Sequence, residues 1–413
     1  MGVALLLAAM LLAGCGTTPV AHGPVTLTYW YTEGTSAAPA ITQLIATFER
    51  QNPGIRIAAR AVDLASSYGQ FVAAARAGHP PDAIRIAASW TVGLASAGYL
   101  LDLDPTRGDV ADWLPVPLTY ATWHGRIYAL PQETDLLALY YNKALFQAAH
   151  LSAPPATWAS FDSDNRKLTT ASQFGWSFEG SAYMAQAFIY GFGGGLIDTT
   201  TAPPKVVINR AASVAGLNAL KRELAYAPPV NFTTGYTDAV DSFKAGASAM
   251  LLDGSWDYAT ILTGSAFTTS ANLGVAAVPF DPACCDAATP RAVAGGQSYA
   301  VAASGAHPAE AARFVAFLAS ESSQMAIAAQ NHTLPARLSV YTDPASGADT
   351  ALGAFAPLLA TQVARPLLAS GDAIYAPQSG FDDELRALLT GSEDAQTAAD
   401  HMARQFTQLL GSG

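Results

Sequence analysis

The side chains able to make or break covalent bonds are few here, and they do not assemble into a recognised catalytic pattern. The seven histidines are scattered singly, and no H-E-x-x-H occurs, which removes the usual zinc-hydrolase helix. The stretch Gly191-Phe192-Gly193-Gly194-Gly195-Leu196 misses the dinucleotide fingerprint because Leu196 stands where the last glycine belongs. No Walker A motif occurs, and Gly296-Gln297-Ser298-Tyr299-Ala300 fails the nucleophile elbow at its final position. Glu133 and Asp135, two residues apart on an extended segment, share one face and are the obvious carboxylate pair for acid–base work. Nothing around them marks a substrate held between the two. Cys284 and Cys285 are adjacent, with Cα atoms about 3.8 Å apart, closer than the usual disulfide range of about 4.4–6.8 Å. A disulfide there would be strained, and two thiols without a nearby His make a poor zinc site; a loop feature without function is expected. The chemistry left is binding, with no cofactor and no metal.

Composition narrows what can be bound. The chain has 413 residues, 51% of them hydrophobic and 13% charged, with a formal net charge of −11. Length alone suggests two or three domains of about 150 residues. Phosphate-backbone binding needs a basic stripe that releases counterions, and no Lys/Arg run forms one, so nucleic acid is not an expected partner. High apolar content with low charge excludes disorder. Mean hydropathy is +0.21, yet beyond the N-terminus no apolar run approaches the roughly 18 residues of a spanning helix.

That N-terminus reads as an export signal. Residues 3–13 form an apolar run ending Leu12-Ala13-Gly14-Cys15, too short to span a bilayer and matching the apolar region of a secretory signal. Small residues before Cys15 resemble the lipobox of bacterial lipoproteins. The resemblance implies lipid attachment at Cys15, residues 1–15 as signal with lipobox and residues 16–24 as a short tether. The product would be anchored to the outer face of the cell membrane, or periplasmic, rather than spanning.

The elements that must position any site alternate between strand and helix. Residues 25–30 (VTLTYW) read as a strand. Ile41, Leu44, Ile45 and Phe48 then recur at helical spacing, and Asn52-Pro53-Gly54 stops that helix. Strands follow at 55–57 and 83–87, with a helix at 68–77 between them. Later come strands at 273–278 and 298–302, a helix from Pro308, and a closing helix bearing Ala398, Ala399, Met402 and Phe406. Such alternation implies a mostly parallel α/β sheet.

Several segments, in order along the chain, together resemble the family-1 extracellular solute-binding proteins of bacterial ABC importers, the group typified by maltose-binding protein. They are Phe48-Glu49-Arg50-Gln51-Asn52-Pro53-Gly54-Ile55, Gly78-His79-Pro80-Pro81-Asp82, Gly125-Arg126-Ile127-Tyr128-Ala129-Leu130-Pro131, Leu139-Tyr140-Tyr141-Asn142-Lys143 and Pro154-Pro155-Ala156-Thr157-Trp158. Further on come the 243–256 stretch with Asp253-Gly254-Ser255-Trp256, then Gly295-Gly296-Gln297-Ser298-Tyr299 and Thr333-Leu334-Pro335-Ala336-Arg337.

The resemblance implies a periplasmic-binding-protein-like α/β fold of two lobes, with several crossovers between them and a ligand cleft where they meet. Matching segments put the first lobe at 25–134 plus 286–337 and the second at 135–285 plus 338–413. It further implies a carbohydrate ligand, a di- or oligosaccharide, delivered to the transmembrane subunits of an ABC permease by a monomer that performs no catalysis. Flat aromatics suit the C–H faces of a sugar, and carboxylates or amides suit its hydroxyls. By position in the family, Trp256 and Tyr183 are stacking residues and Asp135 is a hydroxyl acceptor. Trp90 and Ser89 lie where strand-end contacts fall, with Ser89 replacing the family's acidic residue. Trp30, Tyr31 and Glu33, at the end of the first strand, are further candidate ligand contacts, with core packing of the strand's aromatics as the other reading. Gly295, Gly296 and Tyr299 form a loop whose glycines allow close backbone approach to a ligand, or else a plain tight turn, and Trp113, Trp123, Trp158 and Trp176 are structural. Glycerol phosphate is the nearest non-sugar rival, but it needs a cationic cleft and no basic pair adjoins these aromatics. The rivals of other classes are a secreted glycoside hydrolase and a carbohydrate-binding adhesin.

Overall fold

The computed structural model describes residues 24–33, 38–106, 108–369, 372–375 and 379–411. The expected signal, Cys15 and nearly all of the tether lie outside these residues. The strands that build the core are β1 (Val25–Tyr31), β2 (Ile55–Ala61), β3 (Ala83–Ala87), β4 (Leu130–Thr134), β5 (Leu137–Asn142) and β6 (Phe174–Ser177). They continue with β7 (Ser248–Gly254), β8 (Leu273–Ala276), β9 (Ala292–Ala294), β10 (Gly296–Val301), β11 (Leu334–Pro335) and β12 (Gln362–Ala364). Ten of them form two separate sheets, one anchoring each lobe and both mixed rather than mostly parallel, while β9 and β12 pair only with each other.

The first sheet has six strands in the order β11-β4-β10-β3-β1-β2. β1 runs parallel to β2 and β3, whereas β10 is antiparallel to β3 and β4. Side chains alternate between the faces of a strand, and the two faces are covered differently. Leu27 and Tyr29 face a core that includes Ile41, Leu44 and Phe48 of the helix Ala38–Gln51 and Phe314 of the helix Pro308–Leu318. Ile84, Ile86 and Ala300 face the helix Leu64–Arg76, which contributes Phe71. That second helix starts on Asp63, whose carboxylate caps Ser66 N, a contact of the kind that satisfies an otherwise orphaned amide.

The second sheet has four strands in the order β8-β5-β7-β6. β5 and β7, central and fully apolar along most of their length, pair antiparallel from Met250↔Tyr141 to Gly254↔Leu137. Around them pack the helices Trp158–Leu168, Ala182–Gly191 and Gly235–Lys244 and the C-terminal helix Ala395–Gly411, whose Ala398, Ala399, Met402 and Phe406 are buried. Trp158 and Trp176 belong to this core, and Trp113 belongs to the first. Among the described residues, no helix is long and apolar enough to cross a membrane.

The chain crosses between sheets at residues 135–136, at Gly295, and after β11. β9 pairs in parallel with β12 and packs in the core of the second lobe. The second passage therefore falls at Gly295, between β9 and β10, whereas the resemblance put it near 286. Cys284 and Cys285 form a vicinal disulfide in the loop ahead of β9.

Candidate functional site

The crossing strands bring the ends of both sheets together, and the polar groups there come from segments far apart in sequence. At Gly295 a Cβ would lie 3.0 Å from both carboxylate oxygens of Asp135 and 3.2 Å from Arg365 Nη2, so a side chain there would press on both groups. Gly295 N–H donates to Asp135 Oδ1 at 2.5 Å. Burial between the lobes pushes the Asp135 carboxyl up to about 6, with the Arg365 charge and the Gly295 and Gly296 amides pulling the other way.

Arg365 is the hub. Its Nη1 lies 3.1 Å from Asp372 Oδ2, and its guanidinium carbon sits 5.6 Å from the centre of the Tyr183 ring and 5.5 Å from that of Tyr375, within range of a cation–π contact. Its backbone N–H donates to the Tyr120 hydroxyl, which donates in turn to Ala294 O, each at 2.6 Å. Burial opposes the charge on Arg365, but Asp372 and the surrounding phenols outweigh it and hold the guanidinium protonated. Asp372 also accepts from Ser89 Oγ at 2.5 Å. That bond joins a turn of the first lobe to a loop of the second.

The aromatics follow the same line. Tyr183, at the start of the helix Ala182–Gly191, lies 6.0 Å from Trp256 and 6.2 Å from Tyr375, centre to centre. Trp256 is 39% exposed, on the turn Ser255–Asp257 that follows β7. Its six-membered ring rests on Gly254, where a Cβ would come within 2.2 Å of it. On the first lobe, Trp90 of the turn Ala88–Trp90 is half-buried and meets Tyr68 edge-on at 5.2 Å. Burial raises the Tyr68 phenol and the Asp372 charge adds to it, which ties this pair to the same junction.

Of the residues expected at the site, the structure thus brings together Trp256, Tyr183, Asp135, Ser89, Trp90 and Gly295. The others are differently employed. Glu33 is buried and ion-paired at 3.1 Å with Arg85 Nε. Arg85 also donates to Gln132 at 2.5 Å, Thr32 at 2.9 Å and Glu133 at 2.6 Å. Burial raises the Glu33 carboxyl, and Arg85 pulls it back. Tyr31 packs on the first core beside Tyr29, and Trp30 packs on the opposite face with Arg60 5.1 Å from its ring centre. Tyr299 and Gly296 lie in β10 rather than in the expected loop, and Tyr299 is fully buried against Tyr29. The strand pleat sends residues 299 and 301 to the inner core. Arg365, Asp372 and Tyr375 escaped the sequence reading, since no local motif surrounds them. Elsewhere, His401 Nδ1 on the C-terminal helix lies 3.2 Å from an oxygen of Glu384 and of Glu393, the set of possible metal ligands among the described residues.

Two α/β lobes joined by crossing strands, with aromatic faces and a guanidinium–carboxylate chain at their junction, define a solute-binding protein. The chain belongs to the bacterial extracellular solute-binding protein family, which it matches over residues 43–354. It is 27% identical over 331 residues to a probable ABC transporter-binding protein of Deinococcus radiodurans, covering 76% of this chain and 77% of that one. It superposes with a TM-score of 0.83 and 27% identity on the GacH receptor of Streptomyces glaucescens, over 94% of this chain and 99% of that one. That receptor was solved unliganded and in complex with acarbose and an acarbose homolog. The sugar-binding protein MalE of Xanthomonas citri shares the fold at a TM-score of 0.82 and 21% identity, over 94% and 98% of the two chains.

Proposed function

We propose that this chain captures a carbohydrate, a di- or oligosaccharide, outside the cytoplasmic membrane and hands it to an ABC permease. The observation that carries the reading is the run of Trp256, Tyr183 and Tyr375 beside Arg365, Asp372 and Asp135 at the lobe junction. A pyranose offers apolar C–H faces and a rim of hydroxyls. Flat rings, each able to bury about 150–250 Å², suit the faces, and charged hydrogen-bonding groups suit the rim. The acarbose bound by the Streptomyces receptor and the probable ABC transporter-binding relative support the same reading. The junction holds Arg365 among the carboxylates Asp135 and Asp372, a balance that disfavours a phosphorylated solute. Ligand draws the lobes together by shifting an open–closed equilibrium, and neither catalysis nor a cofactor enters. A monomer held at the membrane by a lipid on Cys15 completes the proposal.

The test is a thermal-shift screen of lipid-free protein against maltose, maltotriose, acarbose and a wider sugar panel. A ligand at 100 times its dissociation constant adds about 2.7 kcal/mol of stability. No shift with any carbohydrate overturns the sugar reading. Cys15→Ser should release the protein from the membrane fraction; a processed variant that still sediments with membranes overturns the lipid anchor.

A further inference from the structure

Away from the lobe junction, the C-terminal hairpin gathers a set of polar groups that sugar binding does not use. The helices Phe381–Thr390 and Ala395–Gly411 are joined by a short connection. Glu384 comes from the first helix, Glu393 from the connection, and His401 with Gln405 from the second helix. His401 and Gln405 are four residues apart, so they share one face of their helix. Glu393 is pinned through its backbone: its N–H donates to Ala387 O at 3.2 Å, and its carbonyl accepts from Lys221 Nζ at 3.1 Å. His401 Nδ1 lies 3.2 Å from Glu384 Oε2 and 3.2 Å from Glu393 Oε1. One ligand atom from each of the three residues falls within 4.8 Å of the other two.

A plain hydrogen-bonded cluster does not account for these contacts. One ring nitrogen carries at most one hydrogen, so Nδ1 can donate to only one of the two carboxylates. Charge-assisted bonds of that kind run about 2.7–2.9 Å, shorter than either contact. Two acceptor oxygens at the cluster, Glu393 Oε2 and Gln405 Oε1, are shielded from solvent and have no hydrogen-bond partner among the described residues. Buried acceptors are nearly always satisfied, so these two point to a missing electrophile. Zinc takes imidazole nitrogen and carboxylate oxygen at about 2.0–2.2 Å in a tetrahedron, whose edges are then about 3.3–3.6 Å. Both edges at His401 are already near that length. Gln405 Nε2 donates to Glu384 Oε1 at 3.0 Å, which leaves Oε2 turned to the imidazole; outer bonds of this kind orient metal ligands. The three side chains are between 17% and 31% exposed, so an ion can reach them from water.

We propose that Glu384, Glu393 and His401 bind one divalent transition-metal ion, zinc in particular, and that the ion staples the two C-terminal helices together. An imidazole beside two carboxylates suits zinc, whereas magnesium and calcium take oxygen ligands. Three protein ligands leave the fourth position to water. The staple lies behind the second lobe's part of the junction, since Asp382 Oδ1 accepts from Ala182 N at 2.7 Å, where the helix bearing Tyr183 starts. The site is separate from the sugar cleft, and its test needs no sugar.

Lipid-free, untagged protein, stripped with a chelator, is titrated with zinc chloride by calorimetry in a buffer containing excess magnesium. The wild type should take up zinc equimolarly, and its melting temperature should rise with the ion bound. His401→Ala should abolish that uptake. Gln405→Ala should weaken it by about 10–100-fold, the usual cost of removing an outer partner, and Glu393→Gln by at least as much. Glu393→Gln keeps the size of the side chain, so its zinc-free melt should match the wild type, tying the loss to the missing ligand charge. No equimolar uptake by the wild type in the presence of magnesium overturns the proposal. Uptake that survives in both His401→Ala and Glu393→Gln also overturns it, because the ion would then sit on other groups.

Discussion

The two lobes bring opposite kinds of surface to their junction. At the end of the first sheet, Arg85 is enclosed by Glu33, Glu133, Gln132 and Thr32, so its guanidinium is engaged within the lobe. At the end of the second, Trp256 is 39% exposed, and Tyr183 and Tyr375 stand half-buried around Arg365. Buried charge is costly unless paired, so the first lobe has closed its charges onto one another. Aromatic rings tolerate partial exposure, so the second lobe keeps its surface open to a partner. One lobe end is thus a self-paired structural floor, and the other is the wall proposed to bind the ligand.

The floor should break hardest. Arg85→Met leaves Glu33 and Glu133 buried without their cation, and removing one partner of such a group costs about 3–5 kcal/mol. Denaturant melts of the ligand-free protein should show it; a loss below about 1 kcal/mol would mean that water already reaches the network.

Next comes Asp135, where floor and wall meet. Its carboxyl titrates in the folded protein at about 6, above the value of about 3.9 expected unfolded. Between those values the native state binds the extra proton, so stability falls as pH rises from about 4 to about 6, by at most about 1.4 kcal/mol per pH unit. Asp135→Asn should remove that slope. A variant that keeps the wild-type profile in melts across this window would move the titration to another group.

On the wall, Trp256→Ala should weaken binding of a sugar found by the screen by about 2 kcal/mol, near thirtyfold, with little change in the ligand-free melt. Calorimetric titration beside a melting curve separates this from a core role, in which the melt itself would drop by about 3–5 kcal/mol. The smallest effect belongs to the bond between the lobes. Ser89→Ala removes one donor to Asp372, a contact worth about 0.5–1.5 kcal/mol, and should enlarge the radius of gyration of the ligand-free protein in small-angle scattering. An unchanged radius would show that this bond does not hold the lobes together.

The sequence by itself carried the α/β class, the first helix with its stop at Asn52-Pro53, the C-terminal helix and the family, because local periodicity and short motifs encode these. It also carried the Asp253-Gly254-Ser255-Trp256 turn, where the residues that shape the backbone and the residue it displays are neighbours. Only the tertiary structure decided which polar groups meet. Arg365 and Asp372 come from a stretch without regular pattern, and they join Asp135 and Ser89 solely because β9 and β12 pair in parallel and the chain recrosses at Gly295. Tyr299 shows the converse. A motif marks a segment, but whether residue 299 points to cleft or core depends on strand register, and a side-chain period of two makes that choice all or none.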